Sequence, residues 1–272
     1  MTGNPLRDIV AATGSRLRGP GRHATSPPAR ILEQVVGDRC GDVLFSLLCG
    51  SHSTGNAHDA SDIDILVVER KVACARRMVF QHNGYLFDLH IHDPETLTFT
   101  LAGESRAGPI PTLHMVAHGK PFGPADACHD EIHARARAML AAGPTDPNWI
   151  LVRHQLTELL SDLVACSDRE ICRWLAMSLY REIINAYLLH RGRFPCECGN
   201  IVRSMQKLAP AFASMLTDAC DRLFIGQDAA ALLTIGHKVL QEIGGPLNAG
   251  FSFKFPAHFR AHTTTSTVKP AA

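Results

Sequence analysis

Gly50-Ser51-His52-Ser53-Thr54-Gly55, followed after a polar stretch by Ser61-Asp62-Ile63-Asp64-Ile65-Leu66-Val67-Val68, decides how this chain is read. An apolar run, Val43-Leu44-Phe45-Ser46-Leu47-Leu48-Cys49, precedes it and stops abruptly at Gly50-Ser51. Runs of this kind, bounded by turn residues, are expected as buried strands. Ile63 to Val68 is a second one. Strand side chains alternate faces, so Asp62 and Asp64 point the same way, at the mouth of an apolar strand. Two carboxylates held together repel, and apolar neighbours offer no relief. A divalent metal does, and magnesium favours a few carboxylates completed by water and substrate phosphates. Gly50-Ser51, at a strand end, a tight turn and a helix start, offers backbone N–H groups to an anion. The Ser51 hydroxyl adds a donor, and Gly55 permits a further turn.

Outward from this segment, Arg77–His82 and Tyr85–Ile91 flank Asn83-Gly84. Asn-Gly between two strand-like runs is a hairpin signal, because both central residues of a type I′ turn need positive φ. Strands are therefore expected near 43–49, 63–69, 76–82 and 85–91. Asp88 lies among Leu86, Phe87 and Leu89, where an Asp is unfavourable unless it is paired or coordinated. If its strand lies beside 63–69, Asp88 joins Asp62 and Asp64 around two metal ions, which can align an attacking oxygen with a leaving pyrophosphate. His90 and His92 share Asp88's face and are expected as exposed strand histidines. His52 and His58 are accounted for by the polarity of the loop. Helices are expected over 29–36, from Asp93-Pro94 onward with Asp93 as N-cap, and over 126–141.

Gly143-Pro144-Thr145-Asp146-Pro147 breaks the pattern and marks a domain boundary. Beyond it the apolar spacing is helical, over 150–164, 168–189, 200–209, 210–224 and 228–243, and Gly244-Gly245-Pro246 ends the last helix. Phe251, Phe253 and Phe255 alternate, as in an edge strand or a docked extended segment. Trp149 and Trp174 are expected in a core or domain interface, and Glu182 on a solvated helix face. The expected organisation is a loose tail over 1–27, an α/β domain over 28–146, a helical domain over 147–248 and a tail over 249–272.

The chain has 272 residues, enough for one large or two modest domains, and 46% apolar content supports a real core. Aromatics are scarce at 6%, so core volume comes from Leu, Ile, Val and Ala. The balance of 27 basic and 26 acidic residues, formal charge +1, counts against tracking a long nucleic acid. No apolar run reaches the length of a membrane span, and the first residues lack an apolar signal core. Arg7, Arg16, Arg18, Arg22 and Arg30 fit a solvated tail better than a transit peptide. Nine cysteines without CxxC pairs suggest reduced thiols and a cytoplasmic protein. Cys196 and Cys198 lack the second pair a zinc site needs.

Gly-Ser, a short Gly-containing insert, Ser-Asp-x-Asp with an apolar run, and a later strand Asp together resemble the DNA polymerase beta-like nucleotidyltransferase superfamily. Within it, the pattern looks most like the antibiotic (aminoglycoside-type) nucleotidyltransferases and their uncharacterised relatives. The motifs cover residues 30–92, and the order of a small α/β domain before a helical bundle extends the likeness to about residue 245. The resemblance implies an α+β fold: a small mixed β-sheet catalytic domain with flanking helices, then an all-α substrate-binding domain. It implies Asp62 and Asp64 as ligands of both Mg2+ ions. Asp88 is the third acidic position, as metal ligand or as base, and Gly50 and Ser51 lie on the triphosphate. Arg191-Gly192-Arg193-Phe194-Pro195 and Asn200-Ile201-Val202-Arg203-Ser204 resemble the turn and helix that follow the family's central helix. Relatives often carry Lys where Asn200 stands, which leaves Arg203 and Lys207 as triphosphate-binding candidates. The implied reaction moves a nucleoside monophosphate, AMP from ATP by default, to a hydroxyl of a small acceptor such as an aminoglycoside. A protein or RNA acceptor, or a non-catalytic nucleotide-binding regulator, are the alternatives.

Overall fold

The computed structural model describes residues 26–58, 61–124, 126–195 and 199–254. Most of the expected N-terminal tail, Cys196, Cys198 and Phe255 lie outside them. Two compact units divide the chain: one runs to Pro147 and includes 188–204, the other holds 148–187 and the residues from 205 on.

The first unit is built on a five-stranded sheet in the order β3-β4-β2-β1-β5. The strands are β1 (Val43–Leu48), β2 (Ile63–Glu69), β3 (Arg76–His82), β4 (Tyr85–His92) and β5 (Lys120–Phe122). β2 and β4 run parallel, and the other pairs are antiparallel, so the sheet is mixed. The hairpin forms at Asn83 and Gly84, with φ of 47° and 82°, as a type I′ turn requires.

Ile63 and Ile65 through Val68 are essentially inaccessible, because helices cover both faces of the sheet. That is why β2 is a near-continuous apolar run. On one face, Leu32, Val35 and Val36 of α1 (Ala29–Arg39) pack on Ile63, Ile65, Val67, Phe87, Leu89 and Ile91. On the other, Phe45, Leu47, Leu66 and Val68 meet three more helices. These are α3 (Pro94–Ala107), α4 (Pro111–His118) and α5 (Cys128–Ala142), and the short α2 (Gly50–Thr54) follows β1. Each such side chain, once buried, contributes about 1.5–3 kcal/mol.

Asp93 caps α3 as expected. Its carboxylate accepts from Thr96 N at 2.8 Å, while Asp93 N donates to Thr96 Oγ1 at 3.0 Å. Thr96 N and then Val72 N, both donating to this carboxylate, hold its pKa below the usual carboxylate range. By contrast, α4 and β5 were not expected. α4 has Ile110 at its N-cap position without a side-chain cap bond. Its cap comes instead from Glu104 in α3, which accepts from Thr112 N at 3.0 Å and Leu113 N at 2.7 Å. β5 spans three residues and contains Pro121, too little for a strand signal.

The second unit draws on α6 (Trp149–Ala165), α7 (Arg169–His190), α8 (Gly199–Leu208), α9 (Pro210–Gly226) and α10 (Ala230–Glu242). Leu156, Leu160, Leu216, Leu232 and Val239 are among its buried residues. After α10 the chain returns along α6. Leu247 N donates to Thr157 Oγ1 at 3.0 Å, and Phe251 stacks on His154 with centroids 3.7 Å apart. The Phe251 segment is therefore docked on α6 after a turn in which Phe251 N donates to the Asn248 carbonyl, with no strand among its described residues. Trp174 is not in a core, being 71% exposed. Among the described residues, no helix is long and apolar enough to cross a membrane.

Candidate active site

β2 and β4 pair in a parallel register that sets Asp64 opposite Asp88. Asp62 immediately precedes β2. Each of the three carboxylates offers an oxygen within 4.8 Å of the others. Asp88 is buried, whereas Asp62 and Asp64 are half-buried. Burial, followed by the charges of Asp62 and Asp88, pushes the Asp64 pKa up to about 7. A cluster under this strain calls for positive charge, and three carboxylates form a hard oxygen donor set that suits magnesium.

Gly50 adjoins this cluster. Its φ is +61°, and a Cβ there would fall on the Asp64 carboxylate. Only glycine allows both the turn and the approach. Cys49 N donates to the Asp64 carbonyl at 2.8 Å, so the link between β1 and β2 extends to the site. Burial and the Asp64 charge push the Cys49 thiol up to about 12, leaving it unreactive.

The turn after Gly50 is tied by its own side chains. Ser53 Oγ donates to the Gly50 carbonyl at 2.9 Å, and Asn56 N donates to the Ser51 carbonyl at 3.0 Å. Gly55 ends α2 at φ 75°. His58 and Ser61 close the loop ahead of Asp62, with Ser61 N donating to the His58 carbonyl at 2.7 Å and His58 N to Ser61 Oγ at 2.9 Å. His52 is buried, with Nδ1 3.3 Å from Ser26 Oγ, and burial lowers its pKa.

Arg77 is the site residue that sequence reasoning missed. In β3 it pairs with His90, two residues along from the Val79–Asp88 pair and so on the same face of the sheet. Its Nε donates to Asp88 Oδ1 at 2.9 Å, and its Nη2 donates to Oδ2 at 2.6 Å. An Arg on an edge strand reads as solvated charge until cross-strand register is known. His90, expected to be exposed, is half-buried, with Nε2 3.2 Å from Asp88 Oδ1. Burial lowers its pKa, against the opposing pull of the Asp88 charge. His92 is buried too, and burial likewise lowers its pKa.

Arg203 and Lys207 are exposed, one helical turn apart on α8. Arg203 belongs to the first unit and Lys207 to the second. The Asn200 side chain lies outside the described residues. Glu182 pairs with its neighbour Arg181 at 3.1 Å.

No protein-family model matches the chain. No match to it was found among curated proteins. Among solved structures it is similar to the crystal structure of a nucleotidyltransferase-like protein from Exiguobacterium sibiricum 255-15, at 11% identity and a TM-score of 0.48, over 78% of this chain and 74% of that one.

Proposed function

We propose that this chain is a metal-dependent nucleotidyltransferase, which moves a nucleoside monophosphate from a nucleoside triphosphate to a hydroxyl of a small acceptor. The observation that carries the proposal is the convergence of Asp62, Asp64 and Asp88 within 4.8 Å, with glycine obligatory at Gly50 beside them. Asp62 and Asp64 would hold magnesium, and Asp88 is the third oxygen donor in reach. Bound there, the metal supplies charge neutralisation for the phosphates and lowers the pKa of an attacking oxygen.

The chain's own groups do the rest. Gly50 and Ser51 present N–H groups from the first turn of α2, which lack intrahelical partners, together with the Ser51 hydroxyl, to the triphosphate. Arg203 and Lys207 are the proposed basic contacts to the phosphates. The helical residues 147–248 are proposed to bind the acceptor, whose hydroxyl must lie in line with the α-phosphorus for displacement. The acceptor oxygen forms a bond to that phosphorus, and the bond from phosphorus to the bridging oxygen breaks. The electron pair leaves with pyrophosphate, and the hydroxyl proton goes to a carboxylate of the cluster or to water. ATP is the default donor.

The test is pyrophosphate release with magnesium and each of the four common nucleoside triphosphates. It is run with and without a panel of aminoglycosides and other polyhydroxylated molecules, with Asp64→Ala as control. Acceptor-dependent release that disappears in Asp64→Ala supports the proposal. Metal-dependent nucleotide binding without release across the panel overturns the small-acceptor proposal in favour of a macromolecular acceptor or a regulator.

A further inference from the structure

Asp88 differs from its two partners in how fully it is engaged. Oδ1 accepts from Arg77 Nε at 2.9 Å and lies 3.2 Å from His90 Nε2. Oδ2 accepts from Arg77 Nη2 at 2.6 Å and from Arg77 Nε at 3.2 Å. Both oxygens are thus bound by one planar fork, the strongest geometry available to an arginine and a carboxylate. A carboxylate held this way has little left for a metal.

The charges point the same way. Three carboxylates carry three negative charges when ionised. Arg77 supplies one positive charge and a single divalent ion supplies two, which balances the cluster. A second divalent ion leaves an excess that only an added anion offsets. The Arg77 side chain is 63% exposed, while that of Asp88 is 4% exposed. The arginine therefore has a path outward, and the carboxylate does not.

We infer that Arg77 is a positioning residue that competes with a divalent cation for Asp88. The inference rests on the proposed metal role of the cluster. Without nucleotide the protein takes one divalent ion, at Asp62 and Asp64. The second ion enters when a nucleoside triphosphate arrives. Its phosphate oxygens give the guanidinium an equally good bidentate partner, and Asp88 is released. This couples completion of the site to the presence of the donor substrate and avoids assembling a full metal pair around water alone.

The experiment counts Mn2+ bound to the full chain by electron paramagnetic resonance, with and without a non-hydrolysable ATP analogue. It compares wild type, Arg77→Gln and Arg70→Gln. Arg70 pairs with Asp42 beyond the far end of β2, so its variant controls for loss of charge alone. Wild type and Arg70→Gln should bind one ion without nucleotide and two with it, and Arg77→Gln should bind two in both conditions. A thermal melt checks folding and gives a second readout: saturating Mn2+ should raise the Tm of Arg77→Gln more than that of wild type. Two ions in nucleotide-free wild type, or one ion in nucleotide-free Arg77→Gln, would overturn the inference while leaving the cluster's metal role intact. No Mn2+ bound by any protein in either condition would remove that metal role and the inference with it.

Discussion

Asp64 and Asp88 are Cα partners in the parallel pairing of β2 and β4, so two carboxylates face the same side of the sheet with little freedom to separate. Their proximity, with Asp62, follows from the strand register rather than from flexible side chains. Burial and this crowding raise the Asp64 pKa from 3.8 to about 7. The folded chain therefore binds that proton more tightly than the unfolded chain does. The associated stability is complete below pH 3.8, falls as pH rises from there to about 7, and is absent above. In a chelator, Asp64→Asn should be more stable than wild type at pH 8 by about 1–3 kcal/mol. That advantage should vanish near pH 4. Urea denaturation across the range tests it, and an advantage independent of pH would contradict it.

Gly50 and Gly55 separate two costs. Both have positive φ, but a Cβ at Gly50 meets the Asp64 carboxylate, whereas at Gly55 it meets nothing within 4 Å. Gly55→Ala should cost only the left-handed backbone strain, about 1–2 kcal/mol. Gly50→Ala should cost more and also weaken Mn2+ binding at least tenfold. Denaturation and metal titration of both variants decide this, and equal effects would contradict the close approach.

Glu104 binds the N-terminus of α4 through two backbone donors. Glu104→Ala should destabilise the first unit by about 1–2 kcal/mol. Amide hydrogen exchange should quicken in α4 while remaining unchanged in β2. Uniform protection would mean that α4 is held by its apolar face alone.

Arg203 and Lys207 are proposed to bind phosphate, not to take part in bond making. Arg203→Ala and Lys207→Ala should each raise the KM for the nucleotide about tenfold and change kcat less than threefold. A fall in kcat at unchanged KM would place them elsewhere in the reaction.

Local pattern determined what was legible in the sequence. Continuous apolar runs gave β1 and β2, Asn83-Gly84 gave the hairpin, and Asp93-Pro94 gave the start of α3. Alternation put Asp62 and Asp64 on one face, and an isolated Asp in an apolar strand pointed to Asp88. What was missed depends on contacts distant in sequence. The cap of α4 comes from Glu104 rather than from residues beside it. β5 is a short strand that pairs with β1. The role of Arg77 appears only once β3 and β4 are in register, and the approach of His90 to Asp88 at 3.2 Å appears only in the folded strand.

The most direct test of nucleotidyl transfer is to follow which phosphate moves. Wild type and Asp64→Asn are incubated with magnesium, an acceptor that supports turnover, and ATP labelled at either the α- or the γ-phosphate. The account predicts α-label on the acceptor and γ-label in pyrophosphate, with both abolished by Asp64→Asn and by chelation. Transfer of γ-label to the acceptor, or undiminished transfer by Asp64→Asn, would contradict it.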